Sequence, residues 1–320
     1  MRKAAPEYAT GAGERIRPPA LSGRFGRLQR VGLVVVTAVG LSLMMYPSAA
    51  TWFYLRAQSQ TVSGYAQQVA AMPEPQRTDL LAAAEAYNKT LPPGPFQDPD
   101  GLANNPAADA AVDANYSSLL NADGSGLMAQ LTIPSINVNL PVYHGVSAYT
   151  LEQGVGHLPG SSLPVGGTGT HAVLVAHTGV ANAPLFTDLN KVVIGDTFSI
   201  ATYGETLYYR VDQILVVSPD DMDALQIVPG EDYVTLVTCT PKWVNTYRLL
   251  VRGARIAAPT ADTSSTFALG MNAGPGIPWW AVVIVGGTVL SLVTTRVLSA
   301  RPQKPSHHRS RQRPSRVYYR

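Results

Sequence analysis

The stretch YVTLVTCTPKWVNTYRLLVRGARI, residues 233–256, decides the fold. Two runs rich in β-branched and aliphatic residues, YVTLVTC and YRLLVRGARI, flank a centre holding Pro241 and Asn245. Such runs separated by turn formers predict two strands. The two-residue period puts Val234, Leu236 and Thr238 on one face and Thr235, Val237 and Cys239 on the other. Pro241 has no N–H to give a ladder, so Cys239 should end its strand. Arg248 opens the next run after an eight-residue connection, 240–247. Strands joined so closely are usually neighbours, which sets Arg248 beside Cys239.

Upstream, similar segments recur: LMAQLTI, INVNLPVY, HAVLVAH, DTFSIAT and TLYYRVDQILVV. Gly-, Pro- and Asn-rich turns divide them, and LEQGVGHL and APLFTDLN read as short helical turns. Residues 126–258 therefore predict an all-β barrel or sandwich. Before it, 56–125 reads as a helical region and lid, of which residues 57–90 are polar and Ala/Gln-rich. AQQVAAM and TDLLAAAEAYNKTL predict two short helices split by Pro73 and Pro75, the second capped by Thr78. The stretch 91–115, with PPGPFQDPDGLANNPAAD, predicts a flap or linker. Residues 259–276 are Ser/Thr/Gly-rich and read as a tether.

The ends differ from the middle. Residues 1–30 carry seven Lys/Arg against two Glu, and residues 296–320 carry eight with no acid. That leaves nine basic residues against 19 acidic ones between them. Inside each basic tail lies an uncharged apolar run, 31–55 and 277–295. Each approaches or exceeds the roughly 20 residues that cross a bilayer core of about 30 Å. Trp52, Phe53 and Tyr54 close the first, and Trp279 and Trp280 open the second, as suits a headgroup boundary. Basic flanks stay inside, so the sequence predicts a two-span cell-membrane protein with both termini cytoplasmic and the middle outside. Topology accounts for the short basic tails without nucleic acid. Ser48-Ala49-Ala50 has the small residues of a signal-peptidase site, but the apolar run continues to Leu55, which favours an uncleaved anchor.

The single cysteine excludes a disulfide framework within the chain and any multi-cysteine metal site. A thiol outside the membrane oxidises readily, so an unpaired one there suggests use. A cysteine attacks as its thiolate, which a nearby cation stabilises. A histidine can protonate a leaving amine, and a guanidinium can hold an oxyanion or a substrate backbone. Cys239, Arg248 and one histidine can supply those roles. His177 ends the run HAVLVAH, but His144, His157 and His171 compete with it, and periodicity does not separate them. A buried cysteine, a hydrogen-bonded core histidine and a surface arginine are the plainer alternatives.

TLVTCTP (235–241) followed by NTYRLLVRG (245–253) closely resembles the active-site strands of sortases, the membrane-anchored cysteine transpeptidases of Gram-positive envelopes. IPSINVNLPVYHG (133–145), GHLPGSSLPVGG (156–167), THAVLVAHTG (170–179) and LFTDLNKVVIGDTF (185–198) extend the match over about residues 126–256. The class C, pilus-assembling group is the nearest in pattern. The resemblance implies a mainly β fold, an eight-stranded barrel with short helices, an N-terminal lid segment and two transmembrane helices. It implies Cys239 as nucleophile, His177 as the catalytic histidine and Arg248 as the arginine. The substrate would be a secreted pilin or surface protein with an LPXTG-like signal. The acceptor would be a pilin lysine or a peptidoglycan-precursor amine, and the chemistry needs no metal or organic cofactor. A non-catalytic, envelope-binding β-domain is the alternative of another class.

The chain departs from that pattern. Class C lids usually carry Asp-Pro followed by an aromatic, but Asp98-Pro99 is followed here by Asp100. Asp98 can still meet Arg248, with Phe96 as the substitute aromatic. Lys242-Trp243 and Tyr247 replace commoner residues around the active strand and should tune the groove. Asp220, Asp221 and Asp223 fit a solvated turn better than a calcium loop, which needs six to eight oxygens. His307 and His308 make a poor metal site. Asn88-Lys89-Thr90 and Asn115-Tyr116-Ser117 match glycosylation acceptors, which matter only in a eukaryotic secretory path.

Overall fold

The computed structural model describes residues 23–92, 96–103, 114–258 and 274–300. Eight strands form a closed barrel in the order β1-β2-β3-β4-β7-β8-β6-β5. They are β1 (Leu127–Ile133), β2 (Val138–His144), β3 (Val155–His157), β4 (Thr170–Val175), β5 (Thr197–Thr202), β6 (Glu205–Val217), β7 (Asp232–Thr240) and β8 (Tyr247–Ile256). Closure removes the unpaired edges that invite aggregation. The pair β4–β7 is parallel, and β7–β8 is antiparallel.

Alternation sorts the side chains of β7 and β8 into two sets. Val234, Leu236, Leu249 and Val251 join the main core with Phe198 and Tyr209, whose rings stack with centroids 5.5 Å apart. Val237 and Leu250 face outward and join a second cluster with Val173, Val175, Met222 and Leu225. Gly253 makes the inner stack possible, because a Cβ there would lie 2.5 Å from the Phe198 ring.

The segment before the barrel contributes to the same core. Helix α1 spans Gly23–Ala71 and α2 spans Glu74–Asn88. Short helices α3 (Pro99–Ala103) and α4 (Ala114–Ser118) follow. Tyr65, Val69, Leu81, Ala84, Tyr116 and Leu120 are buried with the barrel residues. Tyr65 Oη donates to the Met128 carbonyl (2.9 Å) and accepts from the Tyr203 N–H (2.9 Å). The buried Asn88 side chain exchanges two hydrogen bonds with the backbone of Leu163, at 3.0 and 2.7 Å. Burial of that amide is incompatible with the glycan reading.

Several sequence expectations change. AQQVAAM is not a separate helix. It ends α1, since its Ala/Gln run holds no breaker before Pro73. Helix α2 starts at Glu74, with Pro75 in its first turn, where a missing N–H costs nothing. Thr78 therefore lies inside the helix, and its hydroxyl bonds back to the Glu74 carbonyl (3.0 Å) instead of capping. LEQGVGHL divides into the end of a helix, α5 (Ala148–Gln153), and strand β3, too short for its period to be read.

Contacts divide the chain into two units, Tyr46–Pro278 with the barrel, and Met1–Met45 with Trp279–Arg320. In the latter, the last helix, α6 (Trp279–Ala300), crosses α1 closely. A Cβ on Gly287 would lie 2.5 Å from Leu41. Small residues let helix backbones approach in this way. Residues Gly26–Ala71 and Trp279–Val297 are helical, long and apolar enough to cross a membrane. Most of both basic tails, including His307 and His308, and residues 259–273 lie outside the described residues.

Candidate active site

The β7–β8 register sets Cys239 directly opposite Arg248. Both belong to the outward set with Val237 and Leu250, and both are buried, at 9% and 5% exposed. The strand pair alone therefore brings a thiol and a guanidinium together, as the short connection predicts. The turn between them is tight. The N–H groups of Val244 and Asn245 both donate to the Pro241 carbonyl, at 3.0 and 2.9 Å. Trp243 and Asn245 take positive φ, 73° and 59°. Asparagine tolerates that region, whereas a tryptophan there is strained.

Four hydrogen bonds hold the Arg248 guanidinium. Nη1 donates to the carbonyls of Asn245 (3.0 Å) and Tyr247 (3.2 Å), so the turn itself orients the fork. Nε and Nη2 donate to Asp98 Oδ1 (2.7 Å) and Oδ2 (2.6 Å). This is the bidentate geometry that makes arginine–carboxylate pairs strong. Asp98 comes from the short segment 96–103, and its Oδ2 also accepts the Gly101 N–H (3.2 Å), closing the turn into α3. Phe96 and Leu102, on either side of Asp98, pack against the outward cluster of Val173, Val175, Val237 and Leu250. Pro99 is buried. The Asp100 side chain lies outside the described residues.

His177 arrives through the parallel pairing of β4 with β7. The last paired residues are Val175 and Val237. Beyond them the Ala176 N–H still bonds to the Val237 carbonyl (3.2 Å), and Thr238 Oγ1 donates to the Ala176 carbonyl (2.7 Å). Extended by one more residue, the same register would set His177 level with Cys239. His177 thus stands two residues past the end of β4 rather than on its last residue. It is half-buried, and its carbonyl accepts the Phe186 N–H (3.1 Å). Two residues on, Gly179 has φ 72°, and a Cβ there would meet Lys242 Cγ at 3.1 Å and the Trp243 ring at 3.3 Å. The β7–β8 turn therefore lies on the loop after His177, where a side chain would be strained and tightly packed.

The three rival histidines have structural roles. His157 is fully buried. Its Nε2 faces the Ser162 carbonyl (2.8 Å) and its Nδ1 the Tyr116 hydroxyl (2.9 Å). His171 is placed similarly between the Gln226 carbonyl (2.9 Å) and Thr235 Oγ1 (2.7 Å). One donor and one acceptor suit a neutral ring. Burial pushes both down to about 4 and keeps them uncharged. His144 faces the carbonyls of Gly126 and Leu119, and burial lowers it as well. Asp223 opens a short helical turn and bonds to Gln226, apart from this site.

A pocket of about 150 Å³ opens beside the thiol, lined by Thr178, Phe186, Thr187, Asn190, Cys239 and Lys242 among others. Sequence reasoning missed Phe186, Thr187 and Asn190. They lie in the irregular β4–β5 connection, where no period points a side chain.

Comparison with known proteins settles the family. The sortase-domain family model matches residues 131–256. The crystal structure of sortase C-1 from Actinomyces oris is 46% identical, with a TM-score of 0.52, and the match covers 57% of this chain and 99% of that one. The chain belongs to the sortase family. Sortase C of Streptococcus pneumoniae is similar too, at 36% identity and a TM-score of 0.58, over 63% of this chain and 98% of that one. Among curated relatives, the sortase SrtE1 of Streptomyces coelicolor is 32% identical over 142 residues, 40% of each chain. The match spans between 45% and 60% of three other curated sortases. The solved neighbours are mainly class C sortases, and the closed eight-stranded barrel is theirs.

Proposed function

We propose that this sortase is a membrane-anchored cysteine transpeptidase that joins pilin subunits. The Cys239 thiolate attacks the Thr carbonyl of an LPXTG-like signal. The C–N bond to Gly breaks, and His177 gives its proton to the leaving amine. Arg248 steadies the oxyanion or the substrate backbone. The amine of a pilin lysine then attacks the thioester, the C–S bond breaks and the thiolate is restored. The observation that supports this reading is the cross-strand pair of Cys239 and Arg248, with His177 two residues beyond the β4–β7 pairing that ends at Val175 and Val237.

In this reading the segment around Asp98-Pro99 is a lid. Its carboxylate occupies the guanidinium that the donor peptide needs, and Phe96 and Leu102 pack against the outward cluster that holds Val237 and Leu250. Phe96 then replaces the aromatic missing after Asp98-Pro99. The two apolar helices would anchor the chain, with both basic tails inside and the barrel facing the wall. The pilin acceptor is favoured by the class C neighbours, one of them studied for its pilin substrate specificity.

A Cys239→Ala variant should form no thioacyl adduct with an LPXTG peptide and no pilin ladder. Normal ladder formation by that variant would refute the assignment. Mass spectrometry of the product made with one pilin identifies donor and acceptor together.

A further inference from the structure

Cys239 can be approached from two directions, and the structure treats them differently. On the outward face, Phe96 and Leu102 pack against the cluster that holds Val237 and Leu250, and Asp98 holds Arg248. The other approach is at the barrel rim. There the pocket of about 150 Å³ is lined by Thr238 and Leu249, the inward-set neighbours of Cys239 and Arg248, together with the β4–β5 connection and Lys242. Among the described residues, none of the segment 96–103 lines it. The two faces of the strand end therefore carry different neighbours.

The chemistry of the rim is specific. Thr178, Thr187 and Asn190 offer hydroxyl and amide oxygens as hydrogen-bond acceptors above the buried Phe186 ring. Among the described residues lining the pocket there is no carboxylate, and Lys242 contributes a cation. Such a site can hydrogen-bond an amine but does not ion-pair with an ammonium. Nearby positive charge favours the neutral form, the one with the lone pair that attacks a thioester. Outside the pocket, the strained turn holds Trp243 71% exposed, with Val244 at 67% and Tyr247 at 47%. Backbone strain that presents an apolar side chain to solvent points to use.

We propose that this rim pocket is the acceptor site, which receives the primary amine of an acceptor polypeptide side chain while Trp243, Val244 and Tyr247 contact the apolar surface around it. The inference rests on the transpeptidase reading and assigns that reaction's second substrate its own entrance. The incoming nitrogen lone pair attacks the thioacyl carbonyl, and the C–S bond breaks to return the Cys239 thiolate. The nitrogen's surplus proton passes to His177, neutral after protonating the first leaving amine. Donor and acceptor then approach the sulfur from opposite sides, so the acceptor pocket exists whether or not the lid is displaced.

The test uses the full chain in detergent, carrying Asp98→Ala to free Arg248, with an LPXTG peptide as donor. Acceptors are a lysine-containing peptide and hydroxylamine. The readout is the ratio of transferred to hydrolysed product, which divides out the acylation step. Asn190→Trp, at an exposed position, fills the pocket, and Lys242→Trp does so from the other wall. Either should lower the lysyl-peptide ratio by about tenfold or more while the hydroxylamine ratio falls less than about threefold, because the small amine still fits. Unchanged lysyl-peptide ratios in both variants, or equal falls for both acceptors, would overturn the acceptor site. A parent protein that forms no thioacyl adduct by mass would instead overturn the transpeptidase reading beneath it.

Discussion

Strand β8 carries three arginines, and each meets an aspartate, but the three pairs are not alike. Arg252 and Arg255 bind carboxylates of the barrel itself. Arg252 is bidentate to Asp212 on β6, at 3.1 and 2.7 Å, and lies 4.2 Å from the centre of the Tyr233 ring. Arg255 approaches Asp232 on β7 at 3.6 Å. That carboxylate also accepts from the Gly167 N–H (3.0 Å) and the Tyr209 hydroxyl (3.1 Å). Arg248 is the most buried of the three, yet its aspartate comes from position 98, outside the barrel. Two pairs hold strands that are already hydrogen-bonded to each other. The third joins β8, opposite Cys239, to a segment outside the strands. In the proposed reading the same two side-chain types serve as a fastener in one place and as a latch in the other, and the origin of the carboxylate separates the roles.

The comparison can be broken most forcefully with acid. His171 sits among Tyr233, Arg252 and Asp212 at the fastened end, and His157 among Tyr116, His144 and Ser162. Both rings titrate near 6.5 when unfolded and near 4 when folded. The unfolded chain therefore binds more protons between those values, so stability is complete above about pH 6.5 and falls as pH drops towards 4. The loss should be on the order of a few kcal/mol in chemical denaturation. His171→Gln should make that acid limb shallower, and an unchanged limb would mean that His171 does not contribute to it.

Next in size, Asp232→Ala strands the Gly167 N–H and the Tyr209 hydroxyl and should cost about 1–3 kcal/mol by urea unfolding, with no gain in activity. Asp98→Ala should do the reverse. It should raise the rate of thioacyl formation from an LPXTG peptide by about tenfold, a factor worth 1.4 kcal/mol, with little change in barrel stability. If Asp98→Ala leaves that rate unchanged, the latch is only another fastener. Asp212→Ala removes a partly exposed pair and should shift unfolding by less than about 1 kcal/mol.

Regular elements were the readable part of the sequence. The YRLLVRGARI run is β8 from end to end, and the two-residue period correctly divided β7 into inward and outward sets. Neighbouring strands with a short turn predicted the meeting of Cys239 and Arg248. What escaped was set by long-range or irregular structure. His177 could be chosen only by family resemblance, because its position depends on a parallel pairing with a strand about 60 residues away. Strand β3 has three residues, too few for a period. Phe186, Thr187 and Asn190 lie on a connection whose path is fixed by tertiary contacts. The strain at Trp243 likewise has no sequence signature, since nothing in a tryptophan predicts a left-handed backbone.

The Asn88–Leu163 exchange and the Tyr65 bridge bear on how this protein can be handled. The family match begins at residue 131, and an expression boundary chosen there would remove both. The Leu163 N–H and carbonyl and the Tyr203 N–H would lose their side-chain partners, and the buried rings of Tyr65 and Tyr116 would leave a gap in the barrel's flank. A soluble fragment should instead start ahead of Gln58, whose amide reaches the Gln153 carbonyl (2.5 Å), so that the helical collar is cut out together with the barrel it completes.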